Sequence, residues 1–218
     1  MKNRILLIGE IPGEESYHPA APVLPLVEQK LCKTHCCNIA YGMNWINDLP
    51  QYTVIVNYLD RFSPGSLSDN QAAAMMQWVE QGGGMILFHS GVCIAKHPAV
   101  FPWLGYSFSH HPAQEVLHFH PTERHPITKG ISSFSFQDEP YHYIFCKDLS
   151  DFHVVMEYSF AGESASLPAV WYRRYGKGTV VNLCMGHTAS QAGDPHTLEL
   201  VCNTVGWLCS NQESCAIP

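Results

Sequence analysis

Apolar residues along the chain fall into short runs separated by polar turns, and the period of those runs changes from one end to the other. Arg4–Gly9 is an unbroken apolar run closed by glycine. It is too short for a helix and fits a strand buried on both faces. Residues 25–34 carry Leu26, Val27 and Leu31 at helical spacing, with Pro25 in the first turn, which predicts a helix. Residues 38–41 suit a short second strand. The β-branched and aromatic run over 52–58 predicts a third. A helix is expected over 66–81, capped by Ser68 or Asp69, with Ala72, Met75, Met76 and Val79 as its apolar stripe. Gly82-Gly83-Gly84 ends it, and Met85 to Phe88 starts another strand.

Strand and helix thus alternate over the first ninety residues. That order builds a parallel sheet with right-handed crossovers and helices on both faces. Ligands of such sheets bind beyond the carboxyl ends of the strands. Three loops are therefore expected to converge: the one carrying His18, the one after Tyr58, and the turn at His89-Ser90. From about 101 to 160 the pattern breaks into strand-like pieces at 115–120, 134–136, 141–145 and 154–158. This stretch reads as a loop-rich insertion packed on the sheet of a single domain spanning 1–218. Alternation returns with a strand at 169–175, the turn Gly176-Lys177-Gly178, a buried strand at 179–184, and a final helix over 195–208 capped by Asp194.

Composition narrows the partners. Apolar residues are 46% of the 218, enough to bury a sizeable core. A net charge of −7 argues against nucleic acid and acidic membrane surfaces as partners, because both call for a basic face. The first apolar run is too short for a signal-peptide core, and no run approaches the ~18 residues of a membrane span. A soluble, cytoplasmic protein is expected. Nine scattered cysteines, an odd count, suggest reduced thiols. Cys32-x3-Cys36-Cys37, with His35 inside, lacks a second ligand pair at zinc-finger spacing. Histidine is unusually abundant, 13 residues against 12 Lys and Arg together, and its bunching between His89 and His142 calls for an explanation.

Four places carry candidate chemistry. At Phe88-His89-Ser90-Gly91 a buried strand turns into a helix, as nucleophiles are often mounted. Cys93 falls one turn too late to stand at the strand end and reads as a buried helix residue. Asp138-Glu139-Pro140-Tyr141 sets two carboxylates on opposite faces of an extended segment, so one can meet a pocket and the other structure; a solvated turn is the plainer alternative. Gly186-His187-Thr188 directly follows a strand, in position for a ligand or for helix capping. His118 and His120 share one strand face, the spacing of a metal pair or of an exposed surface.

Several of these pieces resemble the ThuA-like (trehalose-utilisation) family. The matching segments are Gly82-Gly83-Gly84 through Phe88-His89-Ser90, Leu104-Gly105, His111-Pro112, and His125-Pro126-Ile127-Thr128-x-Gly130. Asp138-Glu139-x-Tyr141, Pro168-x3-Tyr172-x3-Gly176-Lys177-Gly178-Thr179-Val180 and Gly186-His187-Thr188 complete the series, which spans nearly the whole chain. The resemblance implies a three-layer α/β sandwich with a mostly parallel central sheet, flavodoxin-like and similar to class I glutamine amidotransferases. It also implies loss of the amidotransferase cysteine, and a link to disaccharide breakdown through keto sugars.

Carried over, His89, Asp138, Glu139 and His187 become catalytic candidates, with an imidazole as base oriented by a carboxylate. Tyr17, His18, Ser90, His111, Tyr141 and Trp171 are candidates for substrate binding. His18, His89, Glu139 and His187 are alternatively ligands for a divalent metal such as zinc or manganese. The expected partner is a small-molecule carbohydrate, with homo-oligomerisation left open. The competing readings are a noncatalytic sugar-binding or complex-forming subunit, and an amidase using Cys93 or Ser90.

Overall fold

The first four apolar runs become neighbouring parallel strands in the computed structural model, which describes residues 3–13, 17–42, 44–59 and 67–213. β1 (Arg4–Gly9) pairs with β2 (Cys36–Tyr41) on one side and with β3 (Val54–Asn57) on the other. β4 (Gly84–Phe88) follows β3 in the sheet. The sheet grows to opposite sides of β1, so right-handed crossovers put α1 (Leu24–Leu31) and α2 (Asp69–Glu80) on opposite faces. Ser68 caps α2 in a capping box with Gln71.

The remaining helices are α3 (Val100–Leu104), α4 (Ala189–Ala192) and α5 (Pro195–Glu213). Asp194 starts α5 by accepting from the backbone N–H of His196 at 2.8 Å. α1, α4 and α5 pack together on one face, and α2 packs with the 3-10 segment Asn44–Gln51 on the other. No described helix is long and apolar enough to cross a membrane.

Within residues 101–160 the strand-like pieces expected at 115–120, 134–136, 141–145 and 154–158 are strands, and a further strand precedes them. They are β5 (Tyr106–His110), β6 (Glu115–Pro121), β7 (Phe134–Asp138), β8 (His142–Phe145) and β9 (His153–Ser159). With β10 (Leu167–Tyr175) and β11 (Gly178–Leu183), the central sheet has nine strands in the order β2-β1-β3-β4-β11-β10-β9-β6-β7, and β5 and β8 form a separate antiparallel ribbon. The sheet is mixed. It is parallel from β2 to β11, and each pairing from β11 to β7 is antiparallel. The antiparallel strands are half-solvated. In β6 Leu117 and Phe119 are buried while Val116 and His118 are exposed, the alternation of a strand with one solvated face.

Four reversals leave β7 running in the same direction as β11. In a flat sheet their ends would be about 19 Å apart. Yet Asp138, the last residue of β7, accepts a 2.8 Å hydrogen bond from Gly186 N, just past β11. The antiparallel half therefore curls back over the carboxyl ends of the parallel strands, helped by register irregularities in β10 between Pro168 and Trp171.

Candidate metal centre at the strand ends

Three imidazoles converge on one carboxylate oxygen. Oε2 of Glu139 lies 3.5 Å from His18 Nε2, 3.3 Å from His89 Nε2 and 3.2 Å from His187 Nδ1. One ligand-type atom from each of the four side chains lies within 4.8 Å of all the others. His111 approaches from the mouth, its Nε2 3.6 Å from the second oxygen, Oε1, with a third of its side chain exposed. The four converging residues follow β1, β4, β7 and β11, so the sheet delivers them to one rim.

His89 is held by strain and by its neighbours. Its φ of 45° is the one positive φ at a non-glycine among the described residues. A residue there costs ~1–3 kcal/mol unless the surroundings impose it. The imposition comes from Asn57, whose Nδ2 donates to Gly91 O at 2.9 Å, and from Ser90, whose Oγ donates to Tyr58 O at 2.6 Å. Gly91 has to be glycine, since a Cβ would stand 1.9 Å from Asn57 O.

The His89 tautomer follows from its other partner. Nδ1 lies 2.7 Å from the Cys184 carbonyl, which only accepts, so Nδ1 carries the hydrogen. Burial lowers the His89 pKa, while Glu139 and Asp138 pull it back up. The neutral ring then turns a bare Nε2 lone pair towards Glu139. For Glu139, burial alone would raise the carboxyl, but His18, His187 and His89 outweigh it and hold it well below the usual carboxylate range. His89 Nε2, His187 Nδ1 and Glu139 Oε2 are buried without a hydrogen-bond partner. A lone pair facing a carboxylate oxygen at such distances is repulsive unless a cation lies between them.

Asp138 faces away from this cluster. Its Oδ1 accepts from Glu139 N and its Oδ2 from Gly186 N, both at 2.8 Å. Burial raises its pKa, against the pull of His89 and these two amides. The expected catalytic carboxylate is thus a brace between the two loops that carry Glu139 and His187. Tyr58 braces the second loop as well, its hydroxyl 3.0 and 2.8 Å from the carbonyls of Gly186 and His187. Its place at the end of a strand run was visible in the sequence; its partners, some 130 residues away, were not.

Other expected binding residues land elsewhere. Ser90 is fully buried and spends its hydroxyl on the Tyr58 carbonyl. Trp171 is 1% exposed and packs edge-on against Tyr106 and Tyr143. Tyr141 is 2% exposed; its hydroxyl meets His18 Nε2 at 3.2 Å and its ring lies 4.3 Å from that of His89. It packs against the imidazoles. Tyr17 is 91% exposed. Cys93, the other amidase candidate, is buried as well. His118 bonds Ser135 and His120 faces Glu157 on the outer surface, and neither belongs to a ligand group among the described residues. Cys32, Cys36 and Cys37 form no ligand group among the described residues; Cys215 lies outside them.

The family model for ThuA, trehalose utilisation, matches residues 16–208. No curated protein shows detectable sequence similarity to the chain. Among solved structures, it resembles a ThuA-like protein from Bacteroides uniformis at 19% identity and TM-score 0.73, covering 94% of this chain and 91% of that one. A ThuA-like protein from Parabacteroides merdae matches at 14% identity and TM-score 0.79, with 96% and 91% covered. A Thermoplasma acidophilum protein described as part of a GMP synthase matches at 12% identity and TM-score 0.62, with 100% and 99% covered. These identities speak for the fold alone, whereas the family match spans most of the sequence: the chain belongs to the ThuA family.

Proposed function

We propose that this chain is a carbohydrate-processing enzyme whose centre is a divalent cation held by His18, His89, His187 and Glu139. One observation carries the reading: three imidazole nitrogens stand 3.2–3.5 Å from a single buried carboxylate oxygen, and three of these four atoms lack a hydrogen-bond partner. Donors sharing a tetrahedral ion at ~2.0–2.1 Å stand about 3.4 Å from one another; the three distances to Glu139 Oε2 match that spacing, and the four ligand atoms together lie within 4.8 Å. Three imidazoles and a carboxylate suit zinc, nickel, iron or manganese.

A cation bound there supplies Lewis acidity to a sugar carbonyl or a bound water. The protein's own side chains do the rest. His89 keeps Nε2 aimed inward because Cys184 O fixes its tautomer. Tyr141 screens the buried side of His18 and His89 from water. His111, at the mouth, is placed to hold or pass a proton beside Glu139 Oε1. The carbohydrate substrate rests on the trehalose-utilisation family.

The test combines elemental analysis with turnover of oxidised and unoxidised disaccharides, followed by mass spectrometry. About one ion per chain and turnover lost in folded His89→Ala and Glu139→Ala proteins are expected. Metal far below one per chain, with no gain in turnover on adding zinc or manganese, rejects the cation. Sugar binding without turnover on any substrate points to a noncatalytic sugar-binding protein.

A further inference from the structure

Three thiols crowd the turn between α1 and β2, and the proposed function uses none of them. Cys32 caps the carboxyl end of α1, and Cys36 and Cys37 open β2. Leu31 closes the turn, its carbonyl accepting from the amides of Thr34 and His35 at 3.0 and 2.9 Å. Side chains alternate along a strand, so the first two thiols of β2 face opposite ways. Cys36 is exposed, whereas Cys37 is half-buried and packs against the core beside α1.

That alternation selects one pair. The Cys37 thiol meets Cys32 in a side-chain hydrogen bond, and Glu28, one helical turn before Cys32, adds its charge from the same face of α1. Cys36, on the other side, completes no metal-ligand group with them. Burial first, and then Cys32, push the Cys37 thiol up to about 12. Cys37 therefore waits as a thiol, and attack on an oxidant falls to the exposed Cys32. Capping Cys32 removes its hydrogen bond and its charge from Cys37, two of the causes that hold that thiol up.

We infer that Cys32 and Cys37 are a redox pair that a small-molecule disulfide oxidises to a disulfide bond. The Cys32 thiolate attacks one sulfur of that reagent, R–S–S–R, and expels RS⁻ as a mixed disulfide forms on Cys32. Cys37 then releases its proton, its sulfur attacks Cys32 Sγ, and the second RS⁻ leaves. The two cysteines are oxidised, the reagent is reduced to two RSH, and the two thiol protons end on those products. Cys36 and Cys37 lie at the amino end of β2, the opposite end of the parallel strands from the metal centre. The pair is separate from the proposed function and does not need its cation.

Incubation of the reduced full chain with oxidised glutathione, followed by alkylation, trypsin digestion and non-reducing mass spectrometry, tests it. Trypsin cuts after Lys30 and Lys33, which separates Cys32 from Cys36 and Cys37. The peptide bearing Cys32 should be joined to the one bearing Cys36 and Cys37, with fragmentation placing the bond on Cys37 and dithiothreitol undoing it. Cys36→Ser should form the same link, and Cys37→Ser should stop at the glutathione adduct on Cys32. Thermal melts confirm that each variant folds, and fragmentation of the wild-type link locates the bond without them. A stable glutathione adduct on Cys32 of the wild type, no reaction at Cys32, or a link that survives Cys37→Ser overturns the pairing.

Discussion

Asp138 and Gly186, 48 residues apart, are joined by a 2.8 Å hydrogen bond from the Gly186 amide to Oδ2. The other oxygen of Asp138 takes the amide of Glu139. A single carboxylate thereby sets the spacing between Glu139 and His187. Asp138→Asn keeps the shape but turns an NH2 group towards one of two N–H donors. A loss of ~1–3 kcal/mol is expected from the buried mismatch, with metal affinity falling about 10–100-fold. Urea denaturation and zinc titration measure the two effects. Unchanged zinc affinity in a folded variant would show that the brace does not position the ligands.

The strain at His89 predicts an inverted ranking of two truncations. Glycine relieves ~1–2 kcal/mol of left-handed strain and loses about 0.5–1 kcal/mol to its freer unfolded chain. His89→Gly should therefore be at least as stable as His89→Ala, by up to ~1.5 kcal/mol. At an unstrained position alanine would be the more stable. Chemical denaturation of the two metal-free variants reads the order directly.

Ligand binding gives a third prediction. Zinc ion at about 100 times its dissociation constant should stabilise the wild type by ~2.7 kcal/mol. Glu139→Gln removes the only carboxylate among the four converging side chains and should abolish that gain. Thermal melts with and without zinc make the comparison. An equal rise in both proteins would place the bound ion elsewhere.

Acid should destabilise the metal-free protein in two steps. The folded pKa of His89 lies below its ordinary 6.5, so the unfolded chain binds more protons, and stability falls as pH drops through 6.5. Glu139, held below its ordinary 4.5, adds a second loss below that pH. Asp138, raised above 3.8, works in the opposite sense and offsets part of the second step. His89→Gln should shrink the first step, to which His125 and His142, also lowered by burial, contribute, and should reduce the second less, because His18 and His187 still hold Glu139 low. Urea midpoints across a pH series, in the presence of a chelator, would show both.

The parallel half of the fold was legible because its strands are buried on both faces and its helices are capped locally, as Ser68 and Gln71 cap α2. In the antiparallel half the strand pieces at 115–120, 134–136, 141–145, 154–158 and 169–175 were legible, but β5 and the pairing order were not. Tyr106–His110 alternates Tyr, Ser, Phe, Ser and His, a weak signal that becomes a strand only against β8. At the site, the ends of β4 and β11 announced His89 and His187. Trp171 and Tyr141 were candidates for substrate binding in the sequence because burial of an aromatic ring depends on what packs over it, and here that is the β5–β8 ribbon and the imidazole cluster.

Sequence alone determined the order of strands and helices, since the period of apolar positions is set by near neighbours. It also placed two histidines at strand ends. Tertiary structure decided that Glu139 meets them. Glu139 follows a strand four places away from β11 in the sheet, and only the accumulated curl of the intervening strands brings it to their rim. That curl is a property of the paired strands together, and no local stretch of the chain encodes it.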